Sequence, residues 1–385
     1  MEFITEFMDE MKQKKSELSL MFKEDCMDEF EEKLRSRLEQ HWLPLPTGRS
    51  LGMGEFAVDG SMAHRSLVNG TDLFFARALL IGKSKLEKKK FRFEALRTLE
   101  NADEVERFLR LLMSYLEVKV VLENINELQD SVILMDGSLY GKFTHYYREV
   151  LVKGFEDLPL ELISSMQDLF YQCKRKKILL VGISKYSRSC ALSEALAGDL
   201  NNNMPFGSIP SDMEIIYRWK KETPGYSKPL VLGDYFFRGE INRLSEKPED
   251  FLEKFFPNIH EEKKVRGKNI LANIPTTPAI VMSYILPEAG DAPLRLDVPV
   301  SLLGNDKKIG TVSPFEFADP ITIEKVISHF LAGRGGREVY NALLYVVDKQ
   351  VRMSRNVVDS TYRSIICEEL GLPVEYERGM RRFYK

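Results

Sequence analysis

The 385-residue chain has only four cysteines, Cys26, Cys173, Cys190 and Cys367, widely spaced and without a CxxC pair. That excludes a disulfide framework and a cysteine-based zinc site, and it suits a reducing compartment. No apolar stretch is long enough to cross a bilayer, and the charged N-terminus shows no signal-peptide core. A cytoplasmic protein without membrane contact is therefore expected. With a net charge of only −3, the molecule as a whole is no polyanion binder, so any nucleic-acid site has to be a local groove. Walker loops, a GxGxxG fingerprint, a Ser/His/Asp set and low-complexity tracts are also missing. What is present is ordinary for a globular protein: 44% hydrophobic and 29% charged residues, enough for one large domain or two smaller ones.

Against that background one tripeptide occurs twice, each time after an apolar run. The two segments are Phe56-Ala57-Val58-Asp59-Gly60-Ser61 and Ile133-Leu134-Met135-Asp136-Gly137-Ser138. Each apolar run reads as a buried strand, and each Gly marks a sharp turn or a close approach. Each motif is thus expected to deliver a carboxylate at the exit of a core strand. A buried ionised Asp is costly unless it is paired, hydrogen-bonded or holding a metal ion.

The rest of the chain supplies a frame for these strands. Residues 4–40 read as a long amphipathic helix that packs on its own domain or on a second subunit. Residues 55–82 read as a hairpin around Asn69-Gly70. The basic, aromatic-interleaved stretch Lys83–Phe93 reads as a solvated turn or helix start, with a grip on single-stranded nucleic acid as the sharper alternative. Helical periodicity covers about 101–127, followed by the strand 131–136, a helix near 160–174 and the strand 178–183. Residues 223–275 look less regular. Strands at 279–286 and 294–298 then precede helices at 321–331 and 338–354. The expected fold class is α/β or α+β.

Two strand-borne aspartates are two ligands of a hard-cation site for Mg²⁺ or Mn²⁺, and such a centre needs further carboxylates from nearby helices. Glu117 is the best of these, because Met113, Val120 and Val121 flank it at helical spacing. Asp348, flanked by Leu344, Tyr345 and Val351, raises the same question in the last long helix, although Lys349 and Arg352 also suit a surface position. Lys185, after the strand Ile178–Ile183, is placed to face a phosphate or simply solvent.

The order of these segments resembles the NurA nucleases, a family that acts with the HerA helicase-translocase in DNA end processing. The resemblance rests on Val-Asp-Gly-Ser with its hairpin, a helical Leu-Glu, Ile-Leu-Met-Asp-Gly-Ser-Leu, Gly-Ile-Ser-Lys, and a late Tyr-x-x-Leu-Leu-x-x-x-Asp helix, over about residues 50–360. It implies an RNase H-like mixed sheet with flanking helices, a manganese site (with magnesium as the substitute), a homodimer and DNA as substrate. Carried over, the metal-binding acids fall on Asp59, Glu117, Asp136 and Asp348, and Lys185 matches a frequent basic position. Residues 1–46 are then a helical segment and candidate dimer contact, 47–360 the nuclease domain with its less regular part at 223–275, and 361–385 a basic, aromatic tail. The rival readings are a non-catalytic docking subunit of a DNA translocase and an actin- or sugar-kinase-like phosphotransferase. The latter lacks its paired glycine-rich phosphate loops in this chain.

Overall fold

The computed structural model describes residues 2–22, 29–82, 85–97, 102–198 and 209–376. Its centre is a mixed sheet. Two N-terminal helices, α1 (Glu2–Phe22) and α2 (Glu29–Gln40), precede strands β1 (Trp42–Leu43), β2 (Gly54–Ser66), β3 (Asp72–Gly82) and β4 (Glu87–Leu96). Helix α3 (Ala102–Glu123) leads to β5 (Ser131–Asp136), and α4 (Leu158–Arg175) leads to β6 (Leu179–Ser184). β2, β3 and β4 form an antiparallel meander, while β5 and β6 add in parallel on the other side of β2. The order β4-β3-β2-β5-β6, with helical crossovers before each parallel strand, is the RNase H-like arrangement.

The chain continues through α5 (Ala191–Ala197), α6 (Asp212–Lys220), β7 (Gly225–Ser227) and β8 (Leu230–Leu232). Three short helices follow, α7 (Ile241–Glu246), α8 (Pro248–Phe255) and α9 (Glu261–Asn273), then β9 (Ile280–Leu286), β10 (Leu294–Pro299) and β11 (Phe315–Phe317). β10, β9, β7 and β1 extend the sheet beyond β6. The C-terminal part adds α10 (Ile321–Ala332), α11 (Ala342–Val351) and α12 (Arg363–Leu370).

Apolar side chains leave both faces of the central strands, which is why β2, β5 and β6 read as continuous hydrophobic runs rather than alternating ones. Phe56, Val58, Ile133, Met135 and Leu180 pack with α3 and α4 on one face. Ala57, Leu134, Val181 and Ile183 pack with Val326 and Ile327 of α10 and with Leu344 and Val347 of α11 on the other. The functional question is what the last residues of these strands face once the apolar runs end.

Several expectations change. Asp136 closes β5, but Asp59 does not close its strand: β2 runs on to Ser66, paired throughout with β3. Gly60 therefore marks a close approach rather than a turn. A Cβ there would stand 2.5 Å from Met113 Cγ and 2.6 Å from Glu117 Oε1, so any larger residue would push these α3 side chains out of place. Gly137, at φ +90°, is the turn residue of the pair. Ser61, within the strand, accepts a hydrogen bond from Met353 N at 2.9 Å.

The Lys83–Phe93 stretch is neither a turn nor a helix start over its described part. It builds the edge strand β4, because alternate residues find partners on both faces. Lys88 pairs with Glu127 at 2.6 Å and Lys90 pairs with Glu123, while Phe93 packs at a tilt against Phe75 and Phe91 meets Tyr362 edge-on. Its charges and rings are thus largely engaged within the chain.

The described residues of the N-terminal region are helical, as α1 and α2. α2 docks on its own domain through the buried Leu34 and Leu38 and through Arg37, which donates to the carbonyls of Leu196 and Ala197 at 2.7 Å. α1 keeps Phe3, Ile4, Phe7, Met8 and Met11 exposed. The segment 223–275 contributes two sheet strands and three helices, whose shortness and dense charge hide their periodicity. Residues 363–370 form α12, and Tyr376 bridges to Leu67 beside the hairpin. The basic tail 377–385 lies outside the described residues.

Candidate metal centre

Sheet register brings the acids together. β2 and β5 run parallel with Val58 opposite Met135, so the next residues, Asp59 and Asp136, are neighbours on adjacent strands. By alternation both follow Ala57 and Leu134 onto the face covered by α11, which carries Asp348. α11 packs against β2, β3 and β5. Asn341 caps its first turn, accepting from Leu343 N at 3.0 Å and Leu344 N at 3.1 Å. Arg77 Nε ties its other end by donating to Val351 O at 2.6 Å. Glu117 arrives from the opposite layer, on α3, through the gap that Gly60 leaves.

Burial makes this cluster costly. Asp59 is 6% exposed and Glu117 2%. Burial, with Asp136 and Glu117 adding repulsion, pushes the Asp59 carboxyl up to about 8, although Gly60 N donates to its Oδ1 at 2.7 Å. Glu117 is also raised, chiefly by burial, against the opposing effect of Lys142, whose Nζ lies 3.0 Å from Oε2. Asp136 is raised by burial as well; Lys185 and Lys142 act the other way and Asp348 adds repulsion. Lys185 Nζ stands 3.5 Å from Asp136 Oδ1, and that oxygen is buried without a hydrogen-bond partner.

Lys185 also lies over the Tyr340 ring, 4.7 Å from its centroid. Burial disfavours its charge, yet Asp136, Tyr340 and Asp59 outweigh that and hold its pKa above the ordinary value. Burial and the two aspartates push Tyr340 up to about 12, against the effect of Lys185.

Comparison with known families decides the assignment. The model of the NurA domain matches residues 56–313. The chain belongs to the NurA family. Among solved structures, the NurA nuclease from Sulfolobus solfataricus shares 15% identity over 96% of this chain and 98% of its own, with a TM-score of 0.59. Another NurA structure matches at 15% identity over 92% and 96%, TM-score 0.55. A NurA structure with manganese matches at 16% over 92% and 97%, TM-score 0.50. At such identities these matches speak for the shared RNase H-like fold. No curated protein matches the chain.

The NurA match spans Asp59, Glu117, Asp136 and Lys185 and stops before Asp348. Asp59 feels the charges of Asp136 and Glu117, and Asp136 feels that of Asp348. Among the described residues no three His, Cys, Asp or Glu side chains are gathered closely enough to hold an ion in this conformation. Lys142 stands 3.0 Å from Glu117 and Lys185 3.5 Å from Asp136. Lys142 and Tyr340 are the site residues that pattern reading missed. Lys142 sits in a short helical turn after β5 (141–147) with no periodicity to single it out, and it meets Glu117 only through tertiary structure.

Proposed function

We propose that this NurA-family chain is a metal-dependent nuclease that hydrolyses phosphodiesters of DNA, with single strands or duplex ends as substrate. The observation that supports this most is the buried acid cluster itself. Asp59, Glu117 and Asp136 all have raised pKa values, and the buried Oδ1 of Asp136 is met only by Lys185 at 3.5 Å, an arrangement that suits a cation site. The donor set is all oxygen, which suits Mn²⁺ or Mg²⁺.

Asp59, Glu117, Asp136 and Asp348 are the residues that would hold the ion. When bound, such a cation supplies Lewis-acid polarisation and a lowered pKa for attacking water. Asp59 and Asp136, fixed on adjacent core strands, present their carboxylates with little conformational freedom left to lose. Glu117 is held by Lys142 and positioned by the close approach at Gly60. Lys185, moving off Asp136, is placed to contact a substrate phosphate oxygen. No side chain is needed as general base, consistent with a site without a catalytic His.

The family resemblance extends the reading. We place the enzyme in the cytoplasm, in DNA end resection and double-strand break repair, working as a homodimer with a HerA-type hexameric translocase. The uncovered apolar face of α1, with Phe3 83% and Phe7 64% exposed, is the proposed dimer contact. Deleting residues 1–22 should halve the solution mass measured by light scattering while α2 keeps the fold intact; an unchanged mass would refute that contact.

End-labelled single-stranded DNA incubated with Mn²⁺, Mg²⁺ or EDTA tests the nuclease reading directly. Cleavage is expected with the metals and none with EDTA. Asp348→Asn should retain the fold and slow cleavage by about tenfold or more, the scale of losing a supporting ligand. A rate equal to wild type would remove Asp348 from the site.

A further inference from the structure

Beside the acid cluster opens a cavity of about 1310 Å³, larger than the roughly 300–1,000 Å³ of ordinary small-molecule clefts. Its wall includes Ser138, two residues after Asp136, and Ser184, next to Lys185, so it begins where the catalytic strands end. One side carries Tyr186 and Arg188 from the segment after β6, and the other Tyr235, Phe236 and Arg238 from the loop after β8. Tyr186 is 92% exposed, and Phe236, packed against Tyr147 and Phe237, still has 37% of its surface exposed.

The second wall is fixed to the catalytic turn. Tyr140 Oη donates to Gly233 O at 2.7 Å and accepts from Phe236 N at 2.9 Å. The floor is fixed to it as well. Arg295, buried and lining the cavity, donates to Asp297 Oδ1 through Nε at 2.7 Å. Asp297 in turn accepts from Ser138 Oγ at 2.6 Å and Tyr140 N at 3.2 Å. Rings for stacking and guanidinium groups for phosphates thus line a groove whose walls are tied to the turn that follows Asp136.

We propose that this groove binds a single-stranded nucleic-acid segment next to the scissile phosphate, with bases stacked on Tyr186 and Phe236 and the backbone held by Arg188 and Arg238. The ligand class rests on the nuclease reading, but the groove is tested without catalysis. Stacked rings on a mobile-backbone strand give sequence-tolerant binding, and the arginines make it salt-sensitive. The segment 223–275 then contributes Tyr235, Phe236 and Arg238 to the substrate path.

The experiment is fluorescence anisotropy with a labelled oligothymidine in EDTA, using the full chain. Tyr186→Ala and Phe236→Ala should each weaken binding about tenfold, the scale of one lost base stack. Arg188→Ala should weaken it and reduce the salt dependence by close to one phosphate contact. Tyr171→Ala, an exposed tyrosine on α4 away from the groove, is the control and should bind as wild type does. Wild-type affinity in the three groove variants, or an equal loss in the control, would overturn the proposal. Cleavage by wild type is scored separately, so groove-dependent binding without cleavage would sustain the groove and overturn the nuclease reading alone.

Discussion

Replacing Asp59 or Asp136 by Ala should reduce metal-dependent cleavage about a thousandfold while leaving the fold intact. Polarisation by a bound cation contributes several kcal/mol to a phosphoryl-transfer barrier, and about 4 kcal/mol corresponds to three orders of magnitude in rate. Asp59 and Asp136 are the two carboxylates that the sheet register itself sets side by side, so neither has a substitute nearby. Asp59→Ala relieves repulsion and leaves no buried charge unpaired, so its melting should be native-like or better, whereas Asp136→Ala deprives Lys185 of its carboxylate and should melt lower with a native-like circular dichroism spectrum. Residual cleavage near the wild-type rate in either variant would move the chemistry away from this cluster.

The second large effect concerns stability without metal. The Asp59 carboxyl sits at about 8 in the folded chain against an ordinary 3.8. Between those values the folded state binds more protons than the unfolded state, so stability is full below about pH 4 as far as this group is concerned. It is lost as pH rises toward 8. The raised values of Glu117 and Asp136 act in the same direction. In EDTA, denaturant unfolding should therefore show a loss on the order of several kcal/mol across that window. Asp59→Asn should flatten the profile and be the more stable protein at pH 8. Adding Mn²⁺ should restore wild type, by about 2.7 kcal/mol at a hundred times its dissociation constant, and should help Asp59→Asn much less. Wild type and Asp59→Asn unfolding together at pH 8 in EDTA would contradict the electrostatic account.

Much of this arrangement is visible in the primary structure because it is local. The runs Phe56–Val58 and Ile133–Met135 announce core strands, and Asn69-Gly70 announces the hairpin. The apolar flank of Glu117 marks it as buried, and it is buried. What could not be read depends on contacts far apart in sequence. Gly60 looks like a turn residue until α3 is seen crossing it, and Lys142 is one lysine among many until it meets Glu117. The charges of β4 look like a solvated run because their partners, Glu123 and Glu127, lie beyond the next helix's start. Strands of three residues such as β7 and β8 carry too little pattern to be seen at all.

The most direct test of the central claim, that these acids form one cation site, is calorimetric titration of Mn²⁺ into the purified protein at pH 7.5 in two buffers of different ionisation enthalpy. With Asp59 held largely protonated until the ion arrives, binding should release protons. The measured heat should then change with the buffer, and both binding and proton release should be lost in Asp59→Ala and Asp136→Ala. Absence of Mn²⁺ binding by wild type, or binding that both variants retain, would contradict the claim and favour a chain that keeps the fold as a docking platform for a DNA motor.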